Sequence, residues 1–498
     1  MKKLMWSLPI SALCLAAVIQ NTQALETTAQ GAEALYKNNC ESCHGMGRLG
    51  GLGPALLPEN LGRLKAAQAA EVIKNGRKAT QMPAFGNKLN DDEIKQLTAL
   101  IYQQPAQEPV WSAAEINASR ILNKEKLGDK PVFDADLMNL FIVVETGDHH
   151  ATLLNGDTFE PITRFQTRFA LHGGPKYSPD GRYVFFASRD GWISKYDIYN
   201  LKVVAEVRAG INTRNIATSE DGKWVIAANY LPHNLVIFSA EDLSLAKMIN
   251  TDVDGIVSRV SAVYTAPPRN SFIAAMKDSK EVWEIAYDKA DFPLRRIGTD
   301  DYLDDFFFDP QYQHLLGASR DGNNASVIDL DSGKKIATVA IPGMPHLGSG
   351  IDFEYNGHPV LATPNLKTGA VTVVDMDNWQ VVKTIETLGP GFFMRSHENT
   401  PYAWVDVFFG PNKDKMHVID KKTLEMKAVL DPAPGKTVAH VEFTKDGKYA
   451  LVSIWEDDGA VIVYDATTLQ EIKRIPMSKP SGKYNVYNKT RYVQGTSH

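Results

Sequence analysis

Cys40-Glu41-Ser42-Cys43-His44 is the stretch with the clearest chemistry. Two thiols three positions apart, with an imidazole directly after the second, form the attachment signature of a c-type haem. The thiols add across the haem vinyl groups, and His44 becomes the first axial ligand of the iron. A zinc site would need two further Cys or His ligands at workable spacing. The one remaining cysteine, Cys14, lies in an apolar N-terminal segment. Downstream, Gln81-Met82-Pro83-Ala84-Phe85 places a thioether on a proline-containing loop. A lone Met usually packs in a core, but a thioether opposite a His raises a haem's reduction potential, so Met82 is the expected second ligand.

Short helices must position these groups. Gly31 to Asn39 leads into the haem motif, Leu64 to Lys74 is a second helix candidate, and Asn90-Asp91-Asp92-Glu93 is an acidic start before Ile94, Leu97, Leu100 and Ile101 at helical spacing. Glycines from Gly45 to Pro54 permit a tight path around a flat cofactor, and Pro54 is placed to offer a carbonyl to the His44 imidazole. Residues 25–104 thus resemble a small all-α class I cytochrome c carrying one covalent haem. Before them, residues 1–24 read as a signal peptide: Lys2 and Lys3 precede an apolar run, and Thr22-Gln23-Ala24 offers a small-x-small cleavage site. The run is short for a membrane span, so no span is expected after cleavage. Export agrees with c-type haem attachment, which takes place outside the bacterial cytoplasm, and the expected location is the periplasm. A net charge of -6 gives no reason to expect nucleic acid as a partner. Residues 105–135 read as a connector, with prolines at 105 and 109, a polar helix candidate from Glu115 to Lys126, and Trp111 as an apolar anchor.

From residue 136 to 498 the pattern changes to short apolar strands joined by polar turns, and it repeats. Ser178-Pro179-Asp180-Gly181, Ser219-Glu220-Asp221-Gly222 and Thr444-Lys445-Asp446-Gly447 each open a unit; weaker copies start near Pro267, Phe308, Phe353 and Ser396, and another spans Phe141 to Phe165. A period of roughly 40–50 residues means four-stranded propeller blades. Eight units make an all-β eight-bladed propeller; seven blades with one irregular connection is the alternative.

In a propeller the innermost strands face a common axis. The residues just upstream of each polar turn there are His172, Arg214, Tyr264, Asp304, His346, Arg395 and His440. Side groups of this kind converging on one axis require a polar, charged occupant. Three His and two Arg suit a second metalloporphyrin, with imidazole for iron and guanidinium for ring carboxylates.

A c-type cytochrome followed by such a propeller resembles the cytochrome cd1 family over nearly the whole sequence. Arg164-Phe165-Gln166-Thr167-Arg168-Phe169-Ala170-Leu171-His172 is similar to the family's proximal-ligand segment, which implies His172 as the ligand below a non-covalent haem d1 and Arg164 as a carboxylate contact. Arg189, Arg214 and Tyr230 lie in segments that also match. Met344-Pro345-His346-Leu347-Gly348-Ser349-Gly350 resembles the stretch bearing one catalytic His of the family's nitrite reductases, and Ser481-Gly482-Lys483-Tyr484-Asn485-Val486-Tyr487 resembles the segment that closes the ring. The second catalytic His of those reductases falls on Asp304, an Arg usual after the retained His is replaced by Ser349, and His440 is available instead.

That set resembles the family's biosynthetic branch, the dihydro-haem d1 dehydrogenases of denitrifying bacteria, where the macrocycle is the substrate and a propionate becomes an acrylate. The resemblance implies His172 below the iron and His440 above it, Arg164, Arg189, Arg214, Tyr230 and Arg395 around the macrocycle, and His346 or Tyr484 as the base. It also implies a soluble periplasmic electron acceptor, and nitrite reductase as recipient of the finished haem d1. Two other functions stay open: nitrite reduction to nitric oxide, and simple carriage of haem d1. Carriage alone needs no redox relay.

Overall fold

The computed structural model describes residues 31–498, apart from 52, 63, 78–81, 172–173, 320–322, 493 and 496–498. The expected signal peptide, Gln81 and His172 lie outside the described residues. The protein divides into two compact units between Pro109 and Val110.

In the first unit the helices α1 (31–39), α2 (Glu41–His44), α3 (Ala66–Asn75) and α4 (Asp91–Tyr102) surround one apolar core. Helix α4 shows why the sequence starts it there. The Asn90 side chain accepts the Glu93 N–H at 2.9 Å, and the Glu93 carboxylate accepts the Asn90 N–H at 2.8 Å, a reciprocal cap. Three acidic residues in the first turn oppose the positive end of the helix dipole. One face then buries Ile94, Leu97, Leu100 and Ile101 against Tyr36, Leu61 and Ile73.

The second unit is a ring of eight antiparallel sheets, seven of four strands and one, blade 2, of five. The innermost strands of blades 2 to 8 are Lys176–Tyr177, Asn212–Thr218, Val260–Ala266, Leu303–Phe308, Ile351–Tyr355, Met394–Arg395 and Val438–Phe443. The repeated turn after several of them explains the repeat in the sequence. In Ser178–Arg182, Ser219–Lys223 and Thr444–Lys448 a hydroxyl caps the returning N–H, the Asp accepts a second N–H, and the Gly takes a φ of 74°, 70° or 73°, which favours glycine. Apolar residues of adjacent blades fill the space between sheets, as where Phe272 and Trp283 meet Ile226 and Ile237.

Blade 1 is made from both ends of the unit. Leu140–Glu145, His150–Asn155 and Pro161–Gln166 are joined by the inner strand Pro480–Asn485, with Phe141 opposite Asn485 and Ile142 opposite Tyr484. Helix α6 (Val486–Thr490) follows, capped by the Asn485 side chain.

The expected connector does not form one polar helix. Helix α5 covers only Ala113–Ser119, capped by Ser112 and Glu115. Ile121 and Leu122 then pair with Glu206 and Ala205 as a fifth strand on blade 2. Ile116 is fully buried in that blade's core, and Trp111 donates its indole N–H to the Arg208 carbonyl at 2.9 Å. From Val110 onward this segment therefore belongs to the second unit. Among the described residues no helix is long and apolar enough to cross a membrane.

Candidate functional site

In the first unit the haem motif is arranged for iron. His44 is buried, and its Nδ1 donates to the Pro54 carbonyl at 2.8 Å. That bond fixes the proton on Nδ1 and leaves the Nε2 lone pair as the ligand. Burial holds the imidazole below its ordinary pKa, against the pull of the carbonyl, so the ring is neutral. Gly53 leaves room for it, since a Cβ there would stand 2.9 Å from His44 Cε1. Cys40 and Cys43 form no disulfide, and both Cys40 and Met82 pack on the helical core. The donor set fits a covalently attached haem with His44 and Met82 as ligands.

In the second unit the innermost strands carry a recurring irregularity. The inner ladders of blades 3, 4, 5 and 8 skip Arg214, Ser261, Asp304 and His440 on the innermost strand, and blade 3 also skips Tyr230 on the strand beside it. Such a bulge re-aims a side chain out of the ladder. At His440 the backbone also takes a φ of 53°. Two buried groups hold it there: the Asp406 carboxylate accepts the His440 N–H at 3.1 Å, and Lys483 Nζ donates to the His440 carbonyl at 2.8 Å.

Asp406 also reaches the second imidazole. Its Oδ1 accepts the N–H groups of Phe392 and Phe393 at 2.7 and 3.0 Å, and the Phe392 carbonyl in turn accepts from His346 Nδ1 at 2.6 Å. A proton fixed on Nδ1 leaves the His346 Nε2 as a lone pair. Burial keeps this ring below its ordinary pKa; the Asp305 carboxylate opposes that, and Arg214 and Arg395 add to it. His346 is therefore a neutral imidazole with one basic nitrogen. Phe392 packs on its face at 4.1 Å between centroids.

Tyr484 lies beside His440, with ring centroids 5.2 Å apart. Burial pushes its phenol up to about 12, against the Arg395 cation, so the hydroxyl stays protonated at neutral pH. A methyl on Gly174, just after the His172 position, would lie 2.9 Å from the Tyr484 ring. Arg395 is buried, and its Nε and the Nε2 of His440 have no hydrogen-bond partner among the described residues. Buried polar atoms of this kind call for a ligand. The His440 Nδ1 receives the Lys483 N–H at 3.4 Å, a length at which the bond is weak.

The other expected residues divide. Arg214 joins the cluster, with Nε bound to the Ser261 carbonyl at 3.1 Å. Tyr230 faces Arg259 and Lys277. The Arg189 backbone ties Ala170 to Thr213. Arg164 is not brought to the axis: it lies on the outermost strand of blade 1 and pairs with Glu145 and Asp148. Asp304 is the bulged residue and pairs with Lys277 at 2.9 Å, while Asp305 turns to Tyr264 and the His346 segment. Sequence reasoning also missed Asp406 and the Phe392 carbonyl. A cavity of about 270 Å³ is lined by Lys176, Tyr264, Tyr312, Lys489 and Tyr492 among others, and Lys489 also lies over the Tyr484 ring.

Residues 135–489 match the model of the cytochrome D1 heme domain. The chain belongs to that family. Residues 27–101 match a second model, that of the cbb3-type cytochrome c oxidase subunit III. The protein is 58% identical over 471 residues to a dihydro-heme d1 dehydrogenase of Pseudomonas aeruginosa, covering 94% of this chain and 95% of that one. It is 24% identical to a nitrite reductase of Stutzerimonas stutzeri over similar shares of both proteins. A solved structure titled dihydro-heme d1 dehydrogenase NirN in complex with DHE superposes with a TM-score of 0.90 at 57% identity, covering 92% of this chain and all of that one. In this member of the cytochrome D1 family both imidazoles, Arg395 and Tyr484 fall inside the matched domain.

Proposed function

We propose that the protein is a dihydro-haem d1 dehydrogenase: it removes two protons and two electrons from a propionate group of dihydro-haem d1 and leaves an acrylate. The observation that carries this reading is His346, a buried neutral imidazole whose Nδ1–H is committed to the Phe392 carbonyl. Its Nε2 takes a proton from the propionate. Tyr484, held protonated by burial, serves as a hydrogen-bond donor rather than as the base. Arg395 and Arg214 hold carboxylates of the substrate by charge-assisted bonds, and Arg189 and Tyr230 flank it. His172 binds the substrate iron from one side and His440 Nε2 from the other, at the cost of the weak Lys483 contact. Two imidazoles on the iron suit a macrocycle that is to be altered rather than one that must admit nitrite. The haem on Cys40, Cys43, His44 and Met82 supplies a one-electron acceptor when bound.

A soluble one-electron carrier is the onward partner, the location is the periplasm, and nitrite reductase is the recipient of the product. The haem attachment motif and the basic, apolar N-terminal segment support the location. The test is His346→Ala. Substrate still binds, by its absorption spectrum, but mass spectrometry no longer finds the loss of two hydrogens after oxidation. Normal conversion by that variant overturns the role of His346.

A further inference from the structure

Around the two imidazoles the ladders of blades 7 and 8 leave three amides out. Phe392 and Phe393 precede the innermost strand of blade 7, and the bulge at His440 takes that residue out of its own ladder. Such N–H groups need another acceptor. One side chain serves all three. Asp406, fully buried at the end of the strand Tyr402–Asp406, accepts Phe392 and Phe393 on Oδ1 and His440 on Oδ2. Burial pushes its carboxyl up to about 6; the three amides and Lys483 oppose that, so it is ionised at neutral pH. Its own N–H returns to the Phe393 carbonyl at 3.2 Å.

The same segment carries the hold to the rings. The Phe392 carbonyl accepts from His346 Nδ1 at 2.6 Å, and the Phe393 ring packs on His440 at 4.9 Å between centroids. Each link from this carboxylate to the two imidazoles is thus a hydrogen bond of 3.1 Å or less. Space for the segment is tight. A Cβ on Gly391 would stand 2.9 Å from the Asp406 carbonyl oxygen and 3.1 Å from Pro364 Cβ, and the Pro364 carbonyl accepts the His346 N–H.

A carboxylate shared by two segments has one position that suits all its donors. If one segment moves, the carboxylate follows it or lets go of the other, and groups in one such network couple. We infer that Asp406 is a positioning residue that seats His346 and His440 as one unit. The inference rests on the reading that both imidazoles face the bound macrocycle, and not on which of them takes a proton or the iron. Lys483 is the contrast: its ammonium binds the His440 carbonyl and the Ser453 hydroxyl, on the His440 side of the pair. Asp406→Ala removes the acceptor from both segments. Asp406→Asn keeps one accepting oxygen and turns an amide NH₂ on the remaining donor.

The experiment uses the full-length haem-loaded protein, reduced and ¹⁵N-labelled at histidine, first without substrate. The ring signals of His346 and His440 are assigned by their loss in His346→Gln and His440→Gln. His314, whose Nδ1 meets Asp309 at 2.9 Å in blade 5, is the control. Asp406→Ala is expected to move the signals of both rings and leave those of His314 in place. Asp406→Asn is expected to move at least one ring, and it gives the reading if the Ala variant fails to fold. Dihydro-haem d1 is then titrated in and followed by its absorption spectrum; Asp406→Ala is expected to bind it about tenfold more weakly. Either ring unmoved in folded Asp406→Ala, or neither moved in Asp406→Asn, overturns the inference. Movement of His314 as well shows a general loosening and overturns it, and so does an unchanged affinity with both rings moved. Failure of the unaltered protein to bind dihydro-haem d1 overturns the reading of the site and leaves the measured coupling standing, so the two failures are distinguishable.

Discussion

His440 combines three features in one residue: a left-handed backbone at φ 53°, a bulge in the innermost ladder, and a buried Nε2 with no hydrogen-bond partner among the described residues. A non-glycine residue held in that conformation persists where its surroundings over-determine it, and such residues concentrate at functional sites. Asp406 and Lys483 supply the over-determination. The Lys483 N–H at Nδ1 favours a proton on Nε2, whereas iron ligation needs a lone pair there. The two demands make His440→Ala informative. Loss of the second axial imidazole is expected to convert the bound macrocycle from low to high spin in its electron paramagnetic resonance spectrum and to weaken binding by on the order of tenfold or more. An unchanged spin state would mean that His440 meets the substrate as an Nε2–H donor. The sequence made this residue visible because an imidazole is unusual on a strand that otherwise reads apolar. It hid Asp305, because no pattern of residue types shows which of two consecutive aspartates will meet Tyr264 and the Gly348 amide.

At the scale of the element, the hairpin of blade 2 between Tyr183–Ala187 and Trp192–Asp197 places Asp190 in its buried turn. The Asp190 carbonyl accepts from Arg208 Nε at 2.8 Å. Burial pushes the Asp190 carboxyl up to about 7, although the Arg208 charge pulls it down. The folded protein thus holds this proton more tightly than the unfolded polypeptide does. The resulting stability is complete below the unfolded pKa near 4 and is lost as pH rises through 7, a span worth roughly 4 kcal/mol. Asp190→Asn should flatten the decline of unfolding free energy between those pH values, as measured by urea denaturation at fixed pH steps. A slope equal to that of the unaltered protein would show that this carboxyl is not responsible. Elements of this kind were legible where a turn has its own chemistry, as in the Asp-Gly turns that mark the blades. They were illegible where pairing was decided at a distance: nothing local in Ile121-Leu122 announces that blade 2 offers a free edge to complete.

Over the whole second unit, closure depends on a strand far from its partner in sequence. Pro480–Asn485 lies innermost in blade 1 beside Leu140–Glu145, and it carries both Lys483 and Tyr484. A protein ended after Ser478 would leave the inner edge of blade 1 unpaired, expose the core around Ile142 and Val144, and lose the support of His440. Such a protein is expected to lose near-ultraviolet circular dichroism and cooperative unfolding, not merely activity; retention of both would show that the ring closes without this strand. The eight repeats were legible from their period, and the closing segment from its resemblance. Asp406 was not, because its part is to receive three backbone N–H groups, and the sequence does not show which amides will converge on one carboxylate.

The same closure orders events in time. When the polypeptide is made from its amino end, blades 2 to 8 and three strands of blade 1 precede the strand that bears Lys483 and Tyr484. Until that strand docks, one side of the imidazole pair has no wall, and the bend at His440 has lost the lysine that bridges its carbonyl. A half-built molecule therefore offers a reactive pigment no proper seat, and admission waits on a finished circle.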